Sequence, residues 1–438
     1  MKESGDLPAS VVSKASEDSR FRASLLASPK QSIEREFGIS LGSDHEIHVH
    51  EESDGVTHLV LPPKHRLSDE EREEARTGAS SLEFLKKTMH DPAPPLRSPS
   101  PRTPTSLGVS ADAATSACRS AIRRALEFLS SAVDPSGAWH CIRFNLGNPD
   151  IPRHYERPPF VSALCALAIQ CSEEPLAREL LERTRNYLAT TIEHPGFWRY
   201  YRHLPQDLDS SSLCSLVVRD HPWILLQRNV PRMLNNCESD GRFTTWLLGE
   251  REPDVVAKFR IEADPVVNAN VIAYLGDRPA TQDARRWLED MIVNGFEQNA
   301  SKWYQDPVST YYAISRAMPH FSPSSSDDLG SLLVKRTLAL RDETGEFENV
   351  LQAAQAITTL HNLGQLDQLD TISAIDQLLG CQHEDGSFPE LLAFGDQSLQ
   401  WGVVGQIGHG SESVTTAFCV EALERLCENL EQPQDFQS

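Results

Sequence analysis

The chain has 438 residues, an apolar content of 39% and a formal net charge of −22. This length allows one large domain and a smaller one, and the modest apolar content indicates that some segments do not pack. The acidic balance argues against general binding to nucleic acid, because phosphate repels such a surface and the chain has no dense Lys/Arg run.

The nine cysteines are scattered along the chain without a CxxC pair. Such a pattern is typical of reduced, mostly buried thiols in a cytosolic protein. The opening residues lack the apolar core of a secretory signal, and no run of about 18 apolar residues is long enough to span a membrane. We therefore expect a cytoplasmic protein without a transmembrane segment.

Residues 20–76 are predicted to form a small α+β domain behind a disordered tail of residues 1–19. Apolar side chains recur at helical spacing from Arg20 to Ile39, and Gly38 punctuates that helix. Two short alternating runs, 46–50 and 57–61, flank Ser53-Asp54-Gly55 and predict a hairpin.

Three words in this region, FRASLLASPKQSIEREFGISL, HLVLPP and LSDEE, resemble the leader domain of nitrile hydratase alpha subunits and of the precursor peptides named after it. The resemblance implies a partner protein that docks on the leader, in a pathway of natural-product biosynthesis. Where the precursor family has a double-glycine cleavage site, this chain has Arg76-Thr77-Gly78-Ala79. The cysteine-rich metal motif of nitrile hydratase is absent from the sequence, so that activity does not carry over.

Residues 77–110 are predicted to be a linker, because prolines at 92, 94, 95, 99, 101 and 104 alternate with serine and arginine. Such a segment has a restricted backbone and few apolar side chains, so it forms an extended tether. A domain boundary is expected here, and a short disordered tail is expected at residues 431–438.

A repeated pattern fills residues 111–430: a helix with one charged face, a Gly-x-aromatic turn, and a second helix that is small and apolar on most sides. The turns are Gly137-Ala138-Trp139, Gly196-Phe197-Trp198, Gly241-Arg242-Phe243, Gly345-Glu346-Phe347 and Gly386-Ser387-Phe388, and Lys302-Trp303-Tyr304 takes the place of a sixth. The apolar helices are predicted to begin near Pro158, Asp207, Asp264, Asp306, Asn349 and Ser411. Six such pairs predict a mainly α fold, an (α/α)6 toroid, because closure buries the faces that an open array exposes.

The word Gln382-His383-Glu384-Asp385-Gly386-Ser387-Phe388 is similar to the QxxDGSW repeat of squalene-cyclase-like proteins, with phenylalanine in place of tryptophan. About 320 residues therefore resemble the toroids of terpenoid cyclases and protein prenyltransferases. The zinc-binding Asp-x-Cys word of the prenyltransferases does not occur in residues 111–430. The resemblance consequently favours a cyclase without a bound metal.

In such a toroid the inner helices are parallel, so their N-termini, each with a partial positive charge, open on one mouth of a central cavity. Asp207 and Asp209 stand at the start of one inner helix and resemble the first two acids of the DxDD motif of class II terpene cyclases. Asp209 would be the proton donor and Asp207 its support, while Ser210 replaces the last acid. The other interpretation is that both aspartates only cap the helix.

Further polar candidates stand on the other inner helices. Asp264 and Asp306 each precede a proline, a strong helix start because Asp accepts the free N–H groups and Pro lacks one. Asn268 and Asn270 lie inside an apolar helix and either bind a polar ligand group or tie neighbouring helices together. Glu412, near the last inner terminus, is expected to face the same mouth.

Aromatic residues are candidates for the cavity wall because ring faces stabilise carbocations. Structural packing explains most of them equally well. The candidates are Trp198, Tyr200, Tyr201, Trp303, Tyr304, Tyr311, Tyr312 and Trp401.

The leading hypothesis is a terpene-cyclase-like enzyme, an isomerase or lyase, that cyclises a linear prenyl substrate by acid initiation. It needs no cofactor, and Mg²⁺ enters only if the substrate carries a diphosphate. The alternative is a non-catalytic or accessory toroid in a peptide natural-product pathway. That protein would bind a prenyl or peptide ligand and dock partners through the leader-like domain.

Overall fold

The computed structural model describes residues 11, 14–15, 18–38, 49, 110–145, 153–201, 204–220, 229–248, 262–304, 306–396 and 407–431. Two compact units divide the chain, one of residues 1–79 with 218–228 and one of residues 80–217 with 229–438. Within the described ranges, none of the helices is both long and apolar enough to cross a bilayer. The domain boundaries predicted at 20, 76, 110 and 430 stay predictions.

The first unit contains two packed helices, α1 (Ser19–Ala27) and α2 (Pro29–Phe37). The Asp18 carboxylate caps α1 by accepting the N–H groups of residues 20 and 21, and Gly38 ends α2 at φ 65°. The sequence pattern predicted one helical run, but Pro29 starts a second helix because its ring lacks an N–H donor. The predicted hairpin lies outside the described residues, apart from Val49.

The second unit is built from helices in pairs, which confirms the predicted mainly α fold. The first member of each pair, called an outer helix here, is α3 (Ala111–Ala132), α5 (Pro175–Thr191), the short α7 (Asn229–Leu234), α9 (Gln282–Asn294), α11 (Pro323–Leu338) or α13 (Thr371–Leu379). The second member, called an inner helix, is α4 (Pro159–Ile169), α6 (Leu208–Val218), α8 (Pro265–Leu275), α10 (Pro307–Ala317), α12 (Val350–Asn362) or α14 (Glu412–Glu431). Each inner helix begins within one residue of its predicted start.

The order of packing is compatible with the predicted toroid. Helix α8 packs on α10, α10 on α12, α12 on α14, and α14 returns to α4 and α3 at the beginning of the unit. Helix α6 joins the series through a hydrogen bond from Asn270 on α8 and another from Arg185 on α5. Because the last pair packs on the first, the helices do not form an open stack.

The five glycine turns share one geometry, with φ between 82° and 117° at the glycine. In each turn the glycine N–H donates to the carbonyl three residues earlier, as Gly386 does to His383. Gly386 has no substitute, because an added Cβ would lie 2.2 Å from the carbonyl oxygen of Arg124. The aromatic residue after each turn is buried.

Four of the turns are fastened to an inner helix by one recurring contact. The backbone N–H of the aromatic residue donates to a polar side chain in the first turns of that helix. The pairs are Trp139 to Ser162, Trp198 to Ser211, Phe243 to Asn268 and Phe388 to Thr416. Such a bond satisfies a buried donor that no regular element reaches. In these four pairs the turn is therefore tied to the N-terminal part of the inner helix.

A four-stranded antiparallel sheet, which the sequence analysis did not predict for this unit, joins the two ends of the helical array. It contains β1 (Cys141–Asn145), β2 (His154–Glu156), β3 (Phe394–Asp396) and β4 (Ile407–Gly410) in the order β2-β1-β4-β3. Arg143 pairs with His409, and His409 pairs with Phe394. Phe394 contacts Phe160 at the start of α4, so β3 lies at the N-terminal ends of the inner helices.

Candidate active site

Asp209, in the first turn of α6, is a buried carboxyl group with one donor on each oxygen. Asn270 Nδ2 donates to Oδ1 at 2.7 Å and the Tyr304 hydroxyl donates to Oδ2 at 2.7 Å. Burial raises the pKa of Asp209 above its ordinary value, whereas the Tyr304 and Asn270 bonds and the charge of Arg316 lower it. The side chain keeps 8% of its surface exposed.

Asp207 performs a different task, although it stands only two residues away. Its Oδ1 accepts the Ser210 N–H at 2.6 Å, and its Oδ2 accepts the Tyr200 N–H at 3.0 Å. Burial raises the pKa of Asp207 to about 7, against the lowering effect of the Ser210 N–H. Asp207 thus caps α6 and holds the preceding loop, and the direct partners of Asp209 are Asn270 and Tyr304 instead.

Arg316, in the last turn of α10, extends the contacts of Asp209. Its Nη2 donates to Asn270 Oδ1 at 2.9 Å, and its guanidinium carbon lies 5.0 Å from the centre of the Tyr312 ring. Among the described residues Arg316 makes no ion pair, and its buried Nε has no hydrogen-bond partner. Asn270 is therefore a bridge between a carboxyl group and a cation.

A cavity lies among the inner helices beside these groups. Its empty space is about 360 Å³, a figure that includes solvent at its open side. Apolar and aromatic side chains form most of the wall, and Asn270, Tyr304 and Arg316 bring the Asp209 contacts to it. The lining residues are Leu164, Val266, Asn270, Tyr304, Ser309, Tyr312, Ala313, Arg316, Gln355, Ala393, Phe394 and Phe418.

Tyr312, like Tyr304, is an aromatic candidate that the structure places in the cavity wall. Its hydroxyl donates to Glu421 Oε2 at 2.9 Å, and its ring meets that of Phe418 edge-on at 5.4 Å. Burial raises the pKa of Glu421 to about 7, and the Tyr312 bond opposes that rise. The wall thus has a second carboxyl group behind one of its rings.

Three polar candidates have structural roles. Asp264 caps α8 through Val266 N–H at 2.9 Å, and its other oxygen accepts from Ser301 Oγ at 2.7 Å and Lys302 N at 2.9 Å. Asn268 exchanges hydrogen bonds with the N–H and carbonyl of Phe243. Asp306 caps α10 and accepts from a glutamine of α12. Of the two asparagines on α8, Asn268 ties a turn and Asn270 faces the cavity.

None of the other aromatic candidates that the structure describes, nor Glu412, is among the residues that line this cavity. The Tyr311 hydroxyl donates to Glu297, and the Trp198 indole donates to a carbonyl of α5. Tyr201 lies in the loop before α6, and Glu412 is the first residue of α14. Trp401 lies outside the described residues.

Arg316 and Phe394 are site residues that the sequence analysis did not select, and Tyr304 was selected only as a wall aromatic, not as a partner of Asp209. Arg316 carries the charge within the apolar segment YYAISRA, and Tyr304 stands where the repeated turn loses its glycine. Both irregularities are visible in the sequence. Phe394 lies on β3, whose pairing with β4 is not visible in the sequence. The centre of its ring lies 5.1 Å from that of His409, on which it stacks, and 6.3 Å from that of Tyr304.

The described residues contain no group of three or more His, Cys, Asp or Glu side chains suited to a metal ion.

Comparison with known proteins connects this arrangement to solved structures. No family model matches the chain, and no curated protein matches it. The type II terpene cyclase MstE from Scytonema, in complex with its substrate geranylgeranyl dihydroxybenzoate, has a similar structure, with a TM-score of 0.55 at 16% identity. The similarity covers 72% of this chain and 99% of MstE.

A protein from Actinoplanes is also similar, with a TM-score of 0.54 at 14% identity. That similarity covers 71% of this chain and 99% of the Actinoplanes protein. At these levels of identity the similarity shows a shared fold.

Proposed function

We propose that the second unit is a terpene-cyclase-like enzyme that cyclises a linear prenyl substrate after protonation by Asp209. The observation that carries the proposal is the surroundings of Asp209: a buried carboxyl group with two neutral donors, beside a cavity lined mainly by apolar and aromatic side chains. Protonation of an alkene requires a carboxylic acid that is neutral at rest. Burial favours that form.

The same contacts favour the product of proton transfer. When Asp209 gives its proton to one carbon of an alkene, the carboxylate left behind accepts hydrogen bonds from Asn270 and Tyr304 that are then charge-assisted and stronger. The N-terminus of α6 and the charge of Arg316 also favour the anion. In this proposal Asp209 reacts from its neutral form, which burial favours, and its conjugate base is supported in advance.

The carbocation forms on the neighbouring carbon, and the next double bond of the substrate attacks it to close a ring. The π faces of Tyr304, Tyr312, Phe394 and Phe418 in the cavity wall stabilise this migrating positive charge. The reaction ends when the last cation loses a proton or adds water. The likeness to MstE supports a prenyl chain joined to a polar head as the substrate class.

Ser210 departs from the DxDD motif, and the structure offers a replacement for the missing acid. The Ser210 N–H donates to Asp207, and its buried hydroxyl has no hydrogen-bond partner among the described residues. Asn270 and Tyr304, from two other elements, supply the hydrogen bonds to Asp209. We infer that these two side chains take over the orientation of the acid.

The N-terminal segment and the cellular location complete the proposal. Residues 20–76 would dock a partner protein in a natural-product pathway, and the enzyme would act in the cytoplasm. All nine cysteines are free thiols, as a reducing compartment favours. Deleting residues 1–76 should leave turnover of a free prenyl substrate unchanged.

The test is turnover by the purified full-length chain. Geranyl, farnesyl and geranylgeranyl diphosphate and geranylgeranyl dihydroxybenzoate are incubated with and without chelator, and products are identified by mass spectrometry. Asp209→Asn should abolish cyclisation, and Asp290→Asn, an exposed aspartate on α9, should not. Binding of a substrate without any product from the unaltered chain would reject the enzyme and favour the accessory toroid.

A further inference from the structure

Arg316 is a cation in the cavity wall, and the proposed reaction assigns it only a general electrostatic effect on the Asp209 anion. Its Nη2 donates to Asn270 Oδ1, it makes no ion pair among the described residues, and its Nε lacks a hydrogen-bond partner there. Arg316 is half-buried, and its enclosed Nε has no partner that offsets the loss of hydration at that atom. Its placement therefore calls for a task, and the nearest functional group is one amide away.

The amide of Asn270 has two ends that differ in hydrogen bonding. Its oxygen only accepts and its NH₂ group only donates, and rotation by 180° would exchange them. A guanidinium group carries donors and no acceptor. Arg316 therefore admits only the amide oxygen on its side, and the NH₂ group must face Asp209.

The orientation of Asn270 decides where the proton of Asp209 sits. With the NH₂ group directed at Oδ1, that oxygen acts as an acceptor, and the acidic proton is confined to Oδ2. In the rotated amide the carbonyl oxygen would face Oδ1 and accept the proton there. Oδ2 is the oxygen that accepts the hydrogen bond from the Tyr304 hydroxyl, and Tyr304 is a residue of the cavity wall.

We propose that Arg316 is a positioning residue that acts through Asn270, holding the amide so that the Asp209 proton stays on Oδ2 and the carboxylate formed by transfer is stabilised. This inference rests on the proposed function of Asp209. It also assigns Asn270 a fixed orientation, which distinguishes it from Asn268 on the same helix.

The charged and titratable groups around Asp209 come from three sides, and a measurement of its titration has to take them into account. Arg316 on α10 supplies the positive charge, and the neighbouring carboxyl groups are Asp207 on α6 and Asp264 at the start of α8. Burial raises the pKa of the Cys214 thiol on α6 and of the Tyr304 hydroxyl before α10, which favours their neutral forms.

The experiment combines turnover with a direct titration of Asp209. In full-length protein labelled with [4-¹³C]aspartate, the Asp209 carboxyl signal is identified by its absence in Asp209→Asn and followed from pH 4 to 9. The variants are Arg316→Met, Arg316→Lys, Asn270→Ala and the double variant Asn270→Ala/Arg316→Met. Arg286→Met, an exposed arginine on α9, is the control.

Arg316→Met should lower kcat by about 10²-fold with KM changed less than about twofold, since a misplaced acid affects only the chemical step. The Asp209 titration should shift to higher pH. In the Asn270→Ala background the Arg316→Met effect on kcat should shrink by at least about tenfold, because the bridge is already gone. Arg316→Lys, which keeps the charge and one donor, should recover part of kcat and provides the test if Arg316→Met does not fold.

Two results would overturn the inference. A rise in KM with unchanged kcat would show that Arg316 binds the substrate directly, as a cation for an anionic head group. An Asp209 titration that is the same in Arg316→Met and Arg286→Met would show that Arg316 does not act on the acid. The titration needs no turnover, so it decides the inference even if the unaltered chain proves inactive and the proposed function fails.

Discussion

Replacing Asp264 by alanine tests whether this residue is a structural tie or part of a substrate site. Loss of the cap on α8 costs about 1 kcal/mol. The part-buried N–H of Lys302 and the buried hydroxyl of Ser301 then lose their acceptor, at about 1–2 kcal/mol each. The expected loss in free energy of unfolding is about 4 kcal/mol.

The same substitution should reach Asp209 through a chain of hydrogen bonds. Ser301 Oγ, which donates to Asp264, accepts the Tyr304 N–H at 2.9 Å, and the Tyr304 hydroxyl holds Asp209. With Asp264 removed, Tyr304 loses its support. We expect kcat to fall while KM is little changed.

Urea unfolding followed by far-ultraviolet circular dichroism measures the stability. Asp306→Ala is the matched variant, since Asp306 caps α10 in the same way but is itself half-buried, and its second oxygen accepts from one side chain, Gln352. Its loss should cost about 1.5 kcal/mol. A cost for Asp264→Ala no larger than that for Asp306→Ala would refute the reasoning. A raised KM of Asp264→Ala with an unchanged free energy of unfolding would indicate that Asp264 binds the substrate.

Three further predictions use the turns, the cavity wall and the acid. Gly386→Ala should destabilise the protein by about 2 kcal/mol more than Gly345→Ala, because both glycines have positive φ but only the first Cβ meets a backbone carbonyl; thermal melting compares them. In the unaltered protein the free energy of unfolding should fall by up to about 3 kcal/mol as pH rises from 4.5 to about 7, since the buried Glu421 carboxyl group favours its neutral form. Glu421→Gln should remove this pH-dependent loss; unfolding at several pH values measures it. Tyr304→Phe should lower kcat about 10²-fold at unchanged KM, measured by steady-state turnover, because Asp209 loses one of its two donors.

The location of Asp209 is easier to predict than its surroundings. Position 209 follows from a two-residue spacing at the start of an apolar helix. Its partners stand 61 and 95 residues further along the chain. No local pattern states that these three side chains meet, since their contact depends on how the inner helices are placed beside one another.

The sequence by itself determined the repeated turns, the starts of the inner helices and the mainly α fold. Those features depend on interactions within a few residues: a glycine that accepts positive φ, an aspartate that caps, a proline that needs no acceptor. Gly386 and Asp264 could be assigned such roles before any coordinates.

Only the tertiary structure decided the rest. The strands 141–145 and 407–410 pair with each other although they are far apart in the sequence. Each is too short to be predicted from alternating apolar and polar residues. Asn268 and Asn270 have the same chemistry on the same helix, yet one fastens a turn and the other faces the acid. Hydrogen bonds between distant elements set these roles, because a buried polar group is satisfied by whichever element packing brings to it.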